Sequence, residues 1–150
     1  MTVEKTILLI EDNPDDAELT LRAFRRNGVA SPIHVATSGV EALEWLLARA
    51  GQPDQPLPVV ILLDLRMPLI DGFEVLRRIR ADERTRLVPV VILTSSRVES
   101  DLINGYRLGA NSYVRKPVDF TQFMEVARDL GRYWLTWNEL PRALTTQARS

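Results

Sequence analysis

The chain has 150 residues, with 19 Lys+Arg against 20 Asp+Glu and a formal net charge of −1. That length suits one domain with its own core, and the charge balance supplies no field for holding DNA or an anionic membrane. The absence of cysteine and the single histidine, His34, exclude disulfides, zinc–thiolate and iron–sulfur centres, a cysteine nucleophile and a multi-histidine metal site. Residues 1–6 do not read as a signal sequence, and no apolar run approaches ~20 residues, so a soluble, cytoplasmic protein is expected.

Five short apolar runs recur, at 6–10, 33–36, 59–63, 90–94 and 112–114. The first, third and fourth are rich in Val, Ile and Leu without polar alternation, as strands buried on both faces are. Helical patterns lie between them. Asn13-Pro14 offers an N-cap and a proline at the first helical position. Ser38 with Glu41, and Ser96 with Glu99, have capping-box spacing. Asp71-Gly72, and Asp119 with Gln122, open two more helices, while Gly28 and Gly109 sit where C-caps belong. A turn-rich stretch at 51–58 leads into the third strand as a surface connection. After Asp119 a helix is expected to run to about Trp137, with Phe120, Phe123, Ala127, Leu130, Trp134 and Trp137 in one stripe. Its last turns reach past the sheet, so Trp134 and Trp137 are read as a contact between two copies of the chain. Pro141 ends the helix, and 145–150 reads as a frayed tail.

Five βα units in series imply a parallel sheet with helices on both faces. Ligands of such sheets bind beyond the carboxyl ends of the strands. The strands end, in turn, in Glu11-Asp12, Asp64, Thr94-Ser95 and Lys116-Pro117. Three carboxylates gathered there repel one another and need a cation. An all-oxygen set suits magnesium, which often completes its shell with phosphate oxygens. Asp64 can then act as a nucleophile that becomes an aspartyl phosphate, with Lys116 and the Thr94 hydroxyl holding phosphoryl oxygens. Lys116 stands out, because all but two of the 19 basic residues are arginine. No Gly-rich phosphate loop is present to support nucleotide binding.

At these residues the sequence resembles the receiver domain of two-component response regulators. The resemblance rests on Ile-Leu-Leu-Ile-Glu11-Asp12-Asn13, Leu-Leu-Asp64-Leu-Arg-Met-Pro68, Asp71-Gly72, Ile-Leu-Thr94-Ser95 and Tyr113-Val-Arg-Lys116-Pro117, in order over residues 5 to about 130. It implies a flavodoxin-like (βα)5 fold of strand order 2-1-3-4-5, here with an extended C-terminal helix. It implies that Asp64 takes phosphate from a histidine kinase. It also implies that Glu11, Asp12, Asp64 and the Arg66 carbonyl bind magnesium, that Thr94 and Lys116 contact the phosphoryl group, and that Tyr113 moves with Thr94 as a switch. The Lys116–Pro117 bond is implied to be cis. Within the family, Ile-Glu-Asp-Asn-Pro-Asp-Asp16, the loop before the third strand, and Tyr133-Trp-Leu-Thr-Trp137 with Leu140-Pro141 resemble stand-alone receivers paired with bacterial and cyanobacterial phytochrome kinases. That closer resemblance implies a homodimer built partly by the C-terminal segment.

The expected organisation is a receiver domain over 1–130 and a helical extension and tail over 131–150, with no separate effector domain. The expected output is therefore a protein–protein surface switched by phosphorylation, without nucleic-acid or membrane binding. The chain would catalyse only its own phosphorylation and dephosphorylation. A competing reading is a phosphorylation-independent interaction module, against which the complete set Glu11, Asp12, Asp64, Thr94 and Lys116 argues. A phosphotransfer enzyme acting on small molecules is disfavoured because Arg66 stands where a second acid would.

Overall fold

The computed structural model describes residues 4–141 and Leu144; the predicted frayed tail at 145–150 lies outside the described residues. Strands and helices alternate: β1 (Ile7–Ile10), α1 (Pro14–Arg26), β2 (Ile33–Ala36), α2 (Gly39–Arg49), β3 (Val60–Leu63), α3 (Gly72–Ala81), β4 (Val90–Thr94), α4 (Glu99–Arg107), β5 (Ser112–Arg115) and α5 (Phe120–Arg132). The strands form one parallel sheet in the order β2-β1-β3-β4-β5, the order implied by the resemblance. The continuous apolar runs are the three central strands, every residue of which is buried. The outer strands β2 and β5 are only partly buried.

The pleat sorts each central strand between two layers. Leu8, Ile10, Ile61, Leu63, Val90 and Ile92 pack with Ala42 and Leu46 of α2 and Val75, Leu76 and Ile79 of α3. Gly105 of α4 lies on the same face: a Cβ there would fall 2.7 Å from Ile92 Cδ1. Ile7, Leu9, Val60, Leu62, Val91 and Leu93 instead pack with Ala23 and Phe24 of α1 and Phe123 and Ala127 of α5. Central strands buried on both faces follow from this arrangement.

Helix starts follow the sequence at three of five places without change. Asn13 accepts from Asp15 N and Asp16 N, Ser38 from Glu41 N, and Asp71 from Glu74 N. The reciprocal half of the Ser38 box is absent, because Glu41 Oε1 takes the N–H and hydroxyl of Thr37. Asp119 caps α5 through Thr121 N. The Ser96–Glu99 box does not form: α4 begins after Val98, which makes no side-chain cap bond. Gly28 takes φ +76° just past α1, as a C-cap requires. No cis peptide bond occurs among the described residues, so Lys116–Pro117 departs from the implied isomer and keeps the ordinarily favoured trans form.

The C-terminal helix corrects a further expectation. Beyond α5 the chain runs through a π turn, Tyr133–Trp137, closed by Asn138 N donating to the Tyr133 carbonyl at 2.7 Å. A π turn is wider than an α turn, so each residue advances by a smaller angle and residues three apart diverge further. Trp134 stays with Phe123 and Ala127 on the inward stripe and is 9% exposed, while Trp137, at the end of the π turn, leaves that stripe and is 74% exposed. Lys5 Nζ secures this end by donating to the Leu135 carbonyl at 2.7 Å. The two indoles are thus not a surface pair; only Trp137 is free to meet a partner.

Gly72 sets how closely α3 approaches the end of β3. A Cβ there would lie 2.3 Å from the Asp64 carbonyl oxygen and 2.8 Å from Leu65 Cα, and its N–H donates to the Leu65 carbonyl at 2.9 Å. Backbone on both sides has nowhere to go. Gly72→Ala should lower the unfolding free energy by about 2 kcal/mol in urea titrations.

Candidate functional site

Backbone bonds running past the strand ends place the polar residues. Glu11 N donates to the Ala36 carbonyl, Asp64 N to the Ile10 carbonyl, and Lys116 N to the Thr94 carbonyl at 2.8 Å. Residues from four loops thereby face one cleft of roughly 530 Å³ at the carboxyl edge of the sheet. Glu11, Asp12, Asp64, Thr94, Arg66 and Lys116 all line it. Carboxylate oxygens of Glu11, Asp12 and Asp64 lie within 4.8 Å of one another.

The three acids differ in environment. Glu11 is 2% exposed. Its Oε1 accepts from Lys116 Nζ at 2.7 Å and its Oε2 from Asn13 N at 3.2 Å. Burial raises its pKa above the ordinary 4.5; the Lys116 ammonium opposes that, and the Asp64 charge adds to it. Asp64 accepts from Leu65 N through Oδ1. Neither Asp12 nor Asp64 has an ion-pair partner among the described residues. The Arg66 carbonyl accepts no hydrogen bond among them either. Two unpaired carboxylates, a free carbonyl and a third acid behind them form a hard-oxygen donor set, which fits magnesium.

The remaining expected residues are also at the cleft or beside it. Thr94 is buried, and its Oγ1 accepts from Ser96 N at 3.3 Å. Tyr113 is partly buried on β5, with its hydroxyl donating to the Ser96 carbonyl at 3.4 Å. Trp137 stands apart, at the opposite, amino-terminal end of the sheet with the Lys5 contact.

Sequence reasoning missed one group. Asp101 of α4 is 6% exposed, and its Oδ2 accepts from the Arg66 guanidinium and from Ser96 Oγ, the latter at 2.6 Å. A signal was available: Asp101, Gly105 and Leu108 share the 4- and 3-residue steps of α4's inner face. A carboxylate in that stripe requires a partner.

The Glu11–Lys116 pair yields a stability test. Removing one partner of a buried ion pair leaves a buried charge without compensation. Lys116→Met should cost about 3 kcal/mol in urea unfolding near neutral pH, and adding Glu11→Gln should recover most of it. The Glu11 pKa, already raised, rises further in Lys116→Met. A raised carboxyl binds more protons folded than unfolded. Relative to wild type, the variant should therefore lose least stability near and below pH 4.5 and more as pH climbs through the raised value.

Comparison with known proteins places this geometry. The chain is 42% identical over 135 residues to the probable methanogenesis regulatory protein FilR2 of Methanothrix harundinacea, covering 90% of this chain and 86% of that protein. The phosphorylated cyanobacterial phytochrome response regulator RcpA superposes with a TM-score of 0.82 at 33% identity, over 92% of this chain and 99% of that one. The bacteriophytochrome response regulator AtBRR is 46% identical, with a TM-score of 0.69, over 91% of this chain and 99% of that one. Residues 7–128 match the response regulator receiver domain, and the chain belongs to that family.

Proposed function

We propose that this protein accepts a phosphoryl group from a histidine kinase onto Asp64. The observation that carries the reading is the convergence of Glu11, Asp12 and Asp64 within 4.8 Å, with Lys116 beside them. An Asp64 carboxylate oxygen would attack phosphorus as the P–N bond of a phosphohistidine breaks. The imidazole leaves with the bond's electron pair and takes up a proton. With one Asp64 oxygen bonded to Leu65 N, the other is the attacking atom. Lys116 and the Thr94 hydroxyl would receive the phosphoryl oxygens, a positioning and electrostatic task. Magnesium, held by Glu11, Asp12, Asp64 and the Arg66 carbonyl, would neutralise the carboxylates and the incoming phosphate.

The added charge would bias a two-state surface in which Thr94 and Tyr113 move together. Likeness to RcpA and AtBRR supports a phytochrome-type kinase as the source of phosphate. It also supports the division into a receiver over 1–130 and an extension over 131–150. A cytoplasmic location belongs to the same proposal. Among the described residues no helix is long and apolar enough to cross a membrane. Trp137, a large exposed indole, would supply the contact between copies in a homodimer.

Intact-mass spectrometry after treatment with acetyl phosphate tests the chemistry. Wild type should gain one phosphoryl group only with magnesium present, acetate leaving as the acyl C–O–P linkage breaks at phosphorus; Asp64→Asn should gain none. Adduct formation on Asp64→Asn at wild-type yield would overturn the assignment. For the dimer, Trp137→Ala should weaken self-association about tenfold in sedimentation velocity, and it spares the core because Trp134 is untouched.

A further inference from the structure

We propose that Arg66 is a latch with two positions: it holds α4 through Asp101 while Asp64 is unmodified, and it leaves Asp101 for the phosphoryl group once Asp64 carries one. The proposal rests on the reading of Asp64 as phosphoacceptor and adds a route from that charge to α4.

The start of α4 has no side-chain cap of its own. Ser96 has a hydroxyl placed to serve there, but it donates to Asp101 Oδ2. The first turn of α4 is therefore tethered through Asp101, and Arg66 is the other end of the tether. The two ends differ in environment. The Asp101 side chain is 9% exposed and that of Arg66 is 60% exposed. Arg66 lies two residues beyond Asp64 and lines the same cleft.

A phosphoryl group brings more charge and more acceptor oxygens than the carboxylate it modifies. Charge-assisted bonds to phosphate are strong, and guanidinium is shaped for them. An ion pair whose guanidinium is mostly exposed holds that guanidinium weakly against such competition. Asp101 is not stranded when Arg66 leaves, because it keeps the Ser96 hydroxyl and sits at the positive end of α4. The result is a loosened helix start rather than an unfolded domain. Ser96 relays the change, since its N–H reaches Thr94 and its carbonyl takes the Tyr113 hydroxyl. Arg97 lines the cleft as well and is the competitor for the phosphoryl group.

Hydrogen exchange over residues 102–108 tests the latch in wild type, Arg66→Ala, Asp101→Asn and the double variant. Each is measured before and after acetyl phosphate with magnesium, with the adduct read by intact mass. The side-chain amide introduced by Asp101→Asn still offers an oxygen to the Ser96 hydroxyl, and Arg66 is an exposed side chain, so both variants should fold. Before treatment, each single variant should exchange about fivefold faster than wild type, and the double no faster than the singles. Phosphorylated wild type should reach the variants' rate, and phosphorylation should add little to Arg66→Ala. Wild-type exchange in untreated Arg66→Ala overturns the latch. A full phosphorylation response in Arg66→Ala overturns the switch and assigns it to Arg97 or Lys116. No adduct on wild type overturns the reading of Asp64, and with it the release step, while the untreated variants still report the tether.

Discussion

Like charges crowded at one edge of a sheet govern the architecture of this site. Glu11, Asp12 and Asp64 are brought together by strands that run parallel, each joined to the next through a helix, so that their carboxyl ends share one edge. The backbone thus leaves the side chains no means of separating, and their repulsion has to be answered locally. Lys116 answers part of it, and it reaches Glu11 from β5, with β3 and β4 lying between their strands. A flexible stem with a single point of charge suits that span. Asp12 and Asp64 remain uncompensated among the described residues, and this surplus of hard oxygen donors is what fits the cleft to a divalent cation.

The second buried carboxylate, Asp101, shows the same rule on a helix. It is buried yet is held by one cation and one hydroxyl. Both buried acids thus draw their cation from a different element. Burying a charge ties separate parts of the fold together, and this is where a change of charge has the most leverage.

The strands were legible because β1, β3 and β4 are uninterrupted Val, Ile and Leu, a pattern only two-sided burial produces. The site followed from topology, since strand ends in a parallel sheet share an edge. What escaped reading was set by competition over distance. Ser96 has the spacing of a cap, but an acid five residues on takes its hydroxyl, so α4 starts later. Trp137 has the spacing of the α5 stripe, but the π turn carries it out of that stripe into solvent, while Trp134 stays on it in the core. Arg66 reads as a backbone ligand, and its side chain belongs to a partner 35 residues away. Ser96 and Arg66 each commit a side chain to Asp101, and Trp137 follows a change of backbone turn; spacing alone resolves neither.

The Glu11–Lys116 bond spans 105 residues of sequence. During synthesis the first three strands, with β1 lying between β2 and β3 in the sheet, emerge before β5. A nascent chain that has paired β2, β1 and β3 already holds Glu11 beside Asp64 with no ammonium to offset them. Lys116 can pair with Glu11 only once β5 has joined the sheet, so compensation of the buried acid and completion of the sheet come together.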